Sequence, residues 1–132
     1  MTPREIDEVV ESWRAACRER TALREAIAAN LPAEPTCACD RTDWIMQTVD
    51  RLHVLLSSPN QLAVAAVEMA TLRKAVTSAE LRSDQDALIM GIEAVLGPLP
   101  EECTMAWRRA CGLFADVIAG LIFNPFRGDG PE

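Results

Sequence analysis

The stretch PEECTMAWRRACGLFADVIAGLIF, from Pro100 to Phe123, decides the fold. Cys103, Trp107, Ala110, Cys111, Phe114, Ala115, Ile118, Leu121 and Ile122 recur at spacings of three and four, the signature of one continuous apolar face on a helix. Glu101 and Glu102 fall in its first turn, where the helix dipole favours negative charge. Pro125 stops it, because Asn124 before the proline is pushed out of the helical region. A helix of this length with two large aromatics on its inner face is the centre of a core.

The same grammar runs back through the chain. Thr2, Pro3 and Glu5 make a helix start: a threonine cap, proline in the first position and glutamate three after the cap. Ile6, Val9, Trp13, Ala16 and Cys17 follow on one face. Arg18 to Thr21 is a polar interruption, after which Thr21 caps a second piece carrying Leu23, Ile27 and Leu31. Residues 32–40, PAEPTCACD, form the one irregular connection, and Asp40 caps a third helix lined by Trp44, Ile45, Thr48, Val49, Leu52 and Leu56. Ser58, Pro59 and Gln61 repeat the capping pattern ahead of Leu62, Ala65, Ala66, Met69, Leu72 and Val76. Thr77 with Glu80 and Ser83 with Asp86 mark further starts, Leu88, Ile89, Ile92, Val95 and Leu96 make the next inner face, and Gly97-Pro98 closes the helix before the last. No stretch alternates with period two. The expected fold is all-α, a globin-like helical sandwich of six to eight helices, with residues 1–124 as a single domain and 125–132 as a flexible tail.

Composition narrows the function classes. The 132 residues are 49% hydrophobic and 25% charged, ordinary for a globular domain. Thirteen basic against twenty acidic residues leave a net charge of −7, which repels phosphate backbones and anionic membrane surfaces, so neither nucleic acid nor membrane is an expected partner. The opening MTPREIDE is charged rather than apolar, and the apolar run Leu113–Phe123 contains Asp116 and is too short for a span; a cytoplasmic protein is expected. Cysteines 17, 37, 39, 103 and 111 are odd in number and form no C-x-x-C, so no structural disulfide is expected.

In order and spacing these elements resemble a bacterial globin, of the single-domain haemoglobin and flavohaemoglobin-head kind. Thr2, Pro3, Ile6, Val9, Ser12 and Trp13 are similar to the first helix of that family. Ala106, Trp107, Ala110, Ala115, Asp116, Val117 and Ile118 are similar to its last. The SSPN break at residues 57–60, a helix ending Leu72-Arg73-Lys74, and GIEAVLGPL at 91–99 match the middle and the penultimate helix. The resemblance implies haem held by a proximal histidine, and here the chain departs from it. An ungapped comparison puts Lys74, the only lysine, at that position. Thr36, Cys37, Ala38, Cys39 and Asp40 stand where the family wedges an aromatic ring against the porphyrin.

Several residues therefore have two readings. Lys74 ligates iron only as a neutral amine, and removing its proton at pH 7 costs roughly 4–5 kcal/mol against the reference pKa; otherwise it is a solvated charge beside Arg73. His53, the only histidine, is a ligand or a boundary residue. Met46 is an axial thioether or core filler. Cys37 and Cys39 grip a soft metal or sense oxidants, or are plain loop thiols. No glycine-rich phosphate loop, G-x-S-x-G or H-E-x-x-H is present, so no catalytic constellation is expected. The expected function is a haem-free globin-like regulatory or protein-interaction module. The alternatives are a haem protein that binds a diatomic gas through Lys74, Met46 or His53, and a small metal or redox protein built on Cys37 and Cys39. The expected partner is a second copy or another protein. Sensor globins pair through their last two helices, and residues 84–123 carry more apolar side chains than one inner face needs.

Overall fold

The computed structural model describes the backbone of residues 1–31, 38–71 and 78–122, and the side chains of 1–31, 41–69 and 79–116. Among these residues every regular element is helical and none is a strand, as the periodicity predicts. Lys74, Cys37, the Cys39 side chain and the tail at 125–132 lie outside the described residues. So do the stop assigned to Pro125 and the side chains of Leu72, Val76, Ile118, Leu121 and Ile122.

The helices are α1 (Pro3–Ala16), α2 (Arg20–Ala29), α3 (Ala38–Leu52), α4 (Pro59–Thr71), α5 (Ser78–Leu96) and α6 (Glu101–Ile122). Short 3-10 turns at Cys17–Glu19 and His53–Leu55 follow α1 and α3. The capping box of α1 forms as read: Glu5 N–H donates to Thr2 Oγ1 at 3.1 Å, and Thr2 N–H donates to Glu5 Oε1 at 2.8 Å. These bonds, with the Arg109 guanidinium beside it, hold the Glu5 carboxyl below the usual glutamate range. α4 starts at Pro59, and α5 ends at Gly97, whose φ of +86° only glycine adopts without strain.

Three local expectations are corrected. Thr21 caps nothing: α2 resumes at Arg20 straight out of the 3-10 turn, whose own bonds use the backbone N–H groups a cap would serve. α3 begins at Ala38, so Asp40 lies inside its first turn. Ser83 and Asp86 start no new helix, since α5 runs unbroken from Ser78 to Leu96. Burial of Leu81, Ala87 and Leu88 on its inner side outweighs the weak local preference of Ser83 for a cap.

The most extensive pairings skip along the chain, while α5 also packs on its neighbour α6. α1 packs on α6, α2 crosses α5, and α4 lies against α6, while α3 bridges α2 and α4. Trp13 and Trp107 meet edge to face at the α1–α6 seam, with ring centroids 6.1 Å apart. Each indole N–H has a partner: Trp107 donates to Ser12 Oγ at 2.7 Å, and Trp13 to Asp50 Oδ1 at 3.0 Å. At the α2–α5 crossing Gly91 sits against Ile27 so closely that a Cβ there would lie 2.6 Å from Ile27 Cγ1. Trp13, Leu52, Met69, Ile92, Trp107 and Phe114, each read onto an inner helical face, are all buried, whereas Leu96, read onto the inner face of α5, is 38% exposed.

Arg20 pairs with Asp50 at 2.5 Å and Arg24 with Asp43 at 2.8 Å, which ties α2 to α3 across exposed surface. Exposed pairs of this kind contribute about 0–1 kcal/mol each.

Candidate functional site

Where α3, α5 and α6 come together they wall a half-enclosed cavity of about 40 Å³. The wall follows from helical spacing. α3 contributes Trp44, Ile45, Thr48 and Val49; α5 contributes Leu81, Asp84, Gln85 and Leu88; α6 contributes Cys111, Phe114 and Ala115. Each set recurs at three and four residues, so each helix turns one stripe inward.

The polar members of the wall are already engaged. Thr48 Oγ1 donates to Trp44 O at 2.6 Å, and Gln85 Nε2 donates to Cys111 O at 3.1 Å. Asp84 Oδ1 accepts from Arg41 Nε at 2.7 Å, in an ion pair whose side chains are 9% (Arg41) and 6% (Asp84) exposed. Arg41 also donates through Nη2 to Glu80 O at 3.2 Å. Trp44 reaches out of the wall to α4, donating Nε1–H to Met69 O at 2.8 Å. Two charges removed from water are stable only with such close and multiple bonding.

Cys111 is the one thiol on the wall. Burial pushes it up to about 12 against the weaker pull of Arg108, so it stays protonated and inert. Cys103 is likewise raised by burial. Cys17, read as an inner-face residue, is only half-buried; burial still raises it, against the pull of Arg20, whose Nη1 lies 3.4 Å from the sulfur.

Of the sequence-predicted ligands, the two with described side chains do not line this cavity. Met46 is buried in α3 but does not line the cavity. His53 is buried in the 3-10 turn after α3, where its Nδ1 lies 2.7 Å from Val49 O and its ring leans on Trp13 at 6.4 Å between centroids. Lys74, Cys37 and Cys39 contribute no described side chain. Among the described residues no group of three or more His, Cys, Asp or Glu side chains is placed to hold a metal ion. No described helix is long and apolar enough to cross a membrane.

Reading the sequence for ligand types passed over Arg41 and Asp84, the only buried ion pair among the described residues. A usable signal existed. Asp84 sits three after Leu81 and four before Leu88, and Arg41 sits three and four before Trp44 and Ile45, so both are charges on apolar stripes. Compared with family models, curated proteins and solved structures, the chain matches none.

Proposed function

We propose that this chain is a haem-free, globin-like protein-interaction module of the cytosol that pairs with a second copy of itself through the outer sides of α5 and α6. The observation that carries the haem-free part is the size of the α3–α5–α6 cavity. At about 40 Å³ it is far below the roughly 300–1,000 Å³ of ordinary cofactor and small-molecule sites. Met46 and His53, two of the candidate axial ligands, do not face it. The non-sequential packing of first helix on last and second on fifth supports a globin-like arrangement over an up-and-down bundle, in which sequence neighbours pair.

Pairing is supported by what α5 and α6 leave in solvent. Met90 is 51% exposed, Met105 49%, Leu96 38% and Leu113 37%, a concentration of large apolar side chains on two adjoining helices. Arg82, Asp86, Arg108 and Arg109 stand among them as exposed charges of both signs, which suits a two-fold contact. Sedimentation velocity tests the proposal. A mass near twice 14.5 kDa at tens of micromolar is expected. Met90→Glu with Leu113→Glu should return the chain to a monomer, while Val64→Glu, on the comparably exposed outer face of α4, should not. A wild-type chain that stays monomeric at that concentration removes the pairing.

A further inference from the structure

We infer that the α3–α5–α6 cavity is a binding site for a small, neutral, apolar molecule of two to three heavy atoms, held without any metal. The size follows from the volume. A water fills roughly 10–15 Å³ by this measure, so about 40 Å³ holds about three atoms of that size. The chemistry follows from the wall. Trp44, Ile45, Val49, Leu81, Leu88 and Phe114 present carbon.

The polar groups in the wall turn almost no polar surface toward the space, and the hydrogen bonds they make run along the wall. The Thr48 hydroxyl proton is committed to Trp44 O, the Gln85 amide to Cys111 O, and Asp84 to Arg41. The Cys111 thiol keeps its proton and offers only a weak donor. A water inside would find fewer than the two to four partners that hold buried water in place, and an ion would find no counter-charge that is not already paired. An apolar guest loses nothing on entering and gains contacts with the surrounding carbon atoms. Uptake needs only the cavity wall, so it does not depend on pairing through α5 and α6.

Xenon, an apolar probe of suitable size, tests the site. Methyl spectra of the protein are recorded under rising xenon pressure. Saturable shifts are expected at Ile45, Val49, Leu81 and Leu88, with Val9 and Leu23 at the far seams unmoved. Ala115→Leu, at a half-buried position of the wall, should fill the space and abolish the saturable shifts. Thr48→Val, which removes the hydroxyl and keeps the volume, should retain them. Should Ala115→Leu not fold, Ala115→Val serves as a smaller plug that weakens uptake. Shifts that climb linearly at every surface methyl, saturation that persists in the plugged variant, or magnetisation transfer from long-lived water to the Leu88 methyls would each overturn the assignment.

Discussion

Gly91→Ala gives the clearest reading of how this core is held. A methyl at Gly91 would meet Ile27 Cγ1 at 2.6 Å, Ile27 N at 3.1 Å and Ile27 Cα at 3.3 Å. The first contact is with a β-branched side chain that is fully buried and has few rotamers to move into. The other two are backbone and yield only if α2 shifts off α5. Overpacking of this kind costs about 1–3 kcal/mol, and the backbone contacts place it in the upper half of that range. Alanine recovers about 1 kcal/mol of helix propensity, leaving a net loss of about 1–2 kcal/mol. Gly112→Ala is the matched control, since a Cβ there meets nothing within 4 Å, and it should gain up to about 1 kcal/mol. Urea unfolding at fixed protein concentration, read with the m-value, measures both. For a chain of this length the melting temperature should fall by roughly 4–8 °C in the first and rise by up to roughly 4 °C in the second. Adding Ile27→Ala should give a double-mutant coupling of opposite sign to the clash. If Gly91→Ala stabilises as much as Gly112→Ala, the close α2–α5 crossing is refuted.

Other expectations rest on single features. Trp107→Ala should cost about 3–5 kcal/mol, since it empties the α1–α6 seam and leaves Ser12 Oγ without its indole donor; an unchanged melting temperature contradicts the packing. Arg41→Met should cost about 3–5 kcal/mol by stripping Asp84 of its guanidinium, and Arg41→Met with Asp84→Leu should recover much of that loss, as chemical denaturation will show. Stability should also fall in alkali. The Cys111 thiol ionises near 9.0 when unfolded and at about 12 when folded, so between those values the unfolded chain releases a proton that the native state keeps. From pH 8 to pH 10 that costs about 1.4 kcal/mol, and Cys103 and Cys17, raised in the same direction, act with it. Urea midpoints in Cys111→Ala should fall less steeply over that range than in the wild type.

The helices were legible because their signals are local. Thr2-Pro3-Glu5, Ser58-Pro59 and Gly97-Pro98 each fix a helix end through a nearby backbone bond or dihedral angle, and Trp13, Met69, Ile92 and Trp107 declare an inner face by period alone. Thr21 and Ser83 misled because capping residues also tolerate mid-helix positions once tertiary burial decides. The Gly91–Ile27 approach and the Arg41–Asp84 pair were not legible as contacts, since each joins positions more than forty residues apart and depends on the angle at which two helices meet. The cavity was not legible for a related reason: Trp44, Leu88 and Phe114 wall it from three helices, while Met46 and His53, weighed by ligand chemistry, do not line it.

Titration with haemin, followed by the absorption spectrum of purified protein, tests the haem-free reading most directly. A cavity of about 40 Å³ predicts weak, non-saturating spectra typical of haemin on a protein surface, unchanged in Met46→Leu and His53→Gln. A sharp, stoichiometric low-spin spectrum with sub-micromolar affinity, lost on substitution of Lys74, Met46 or His53, would contradict it.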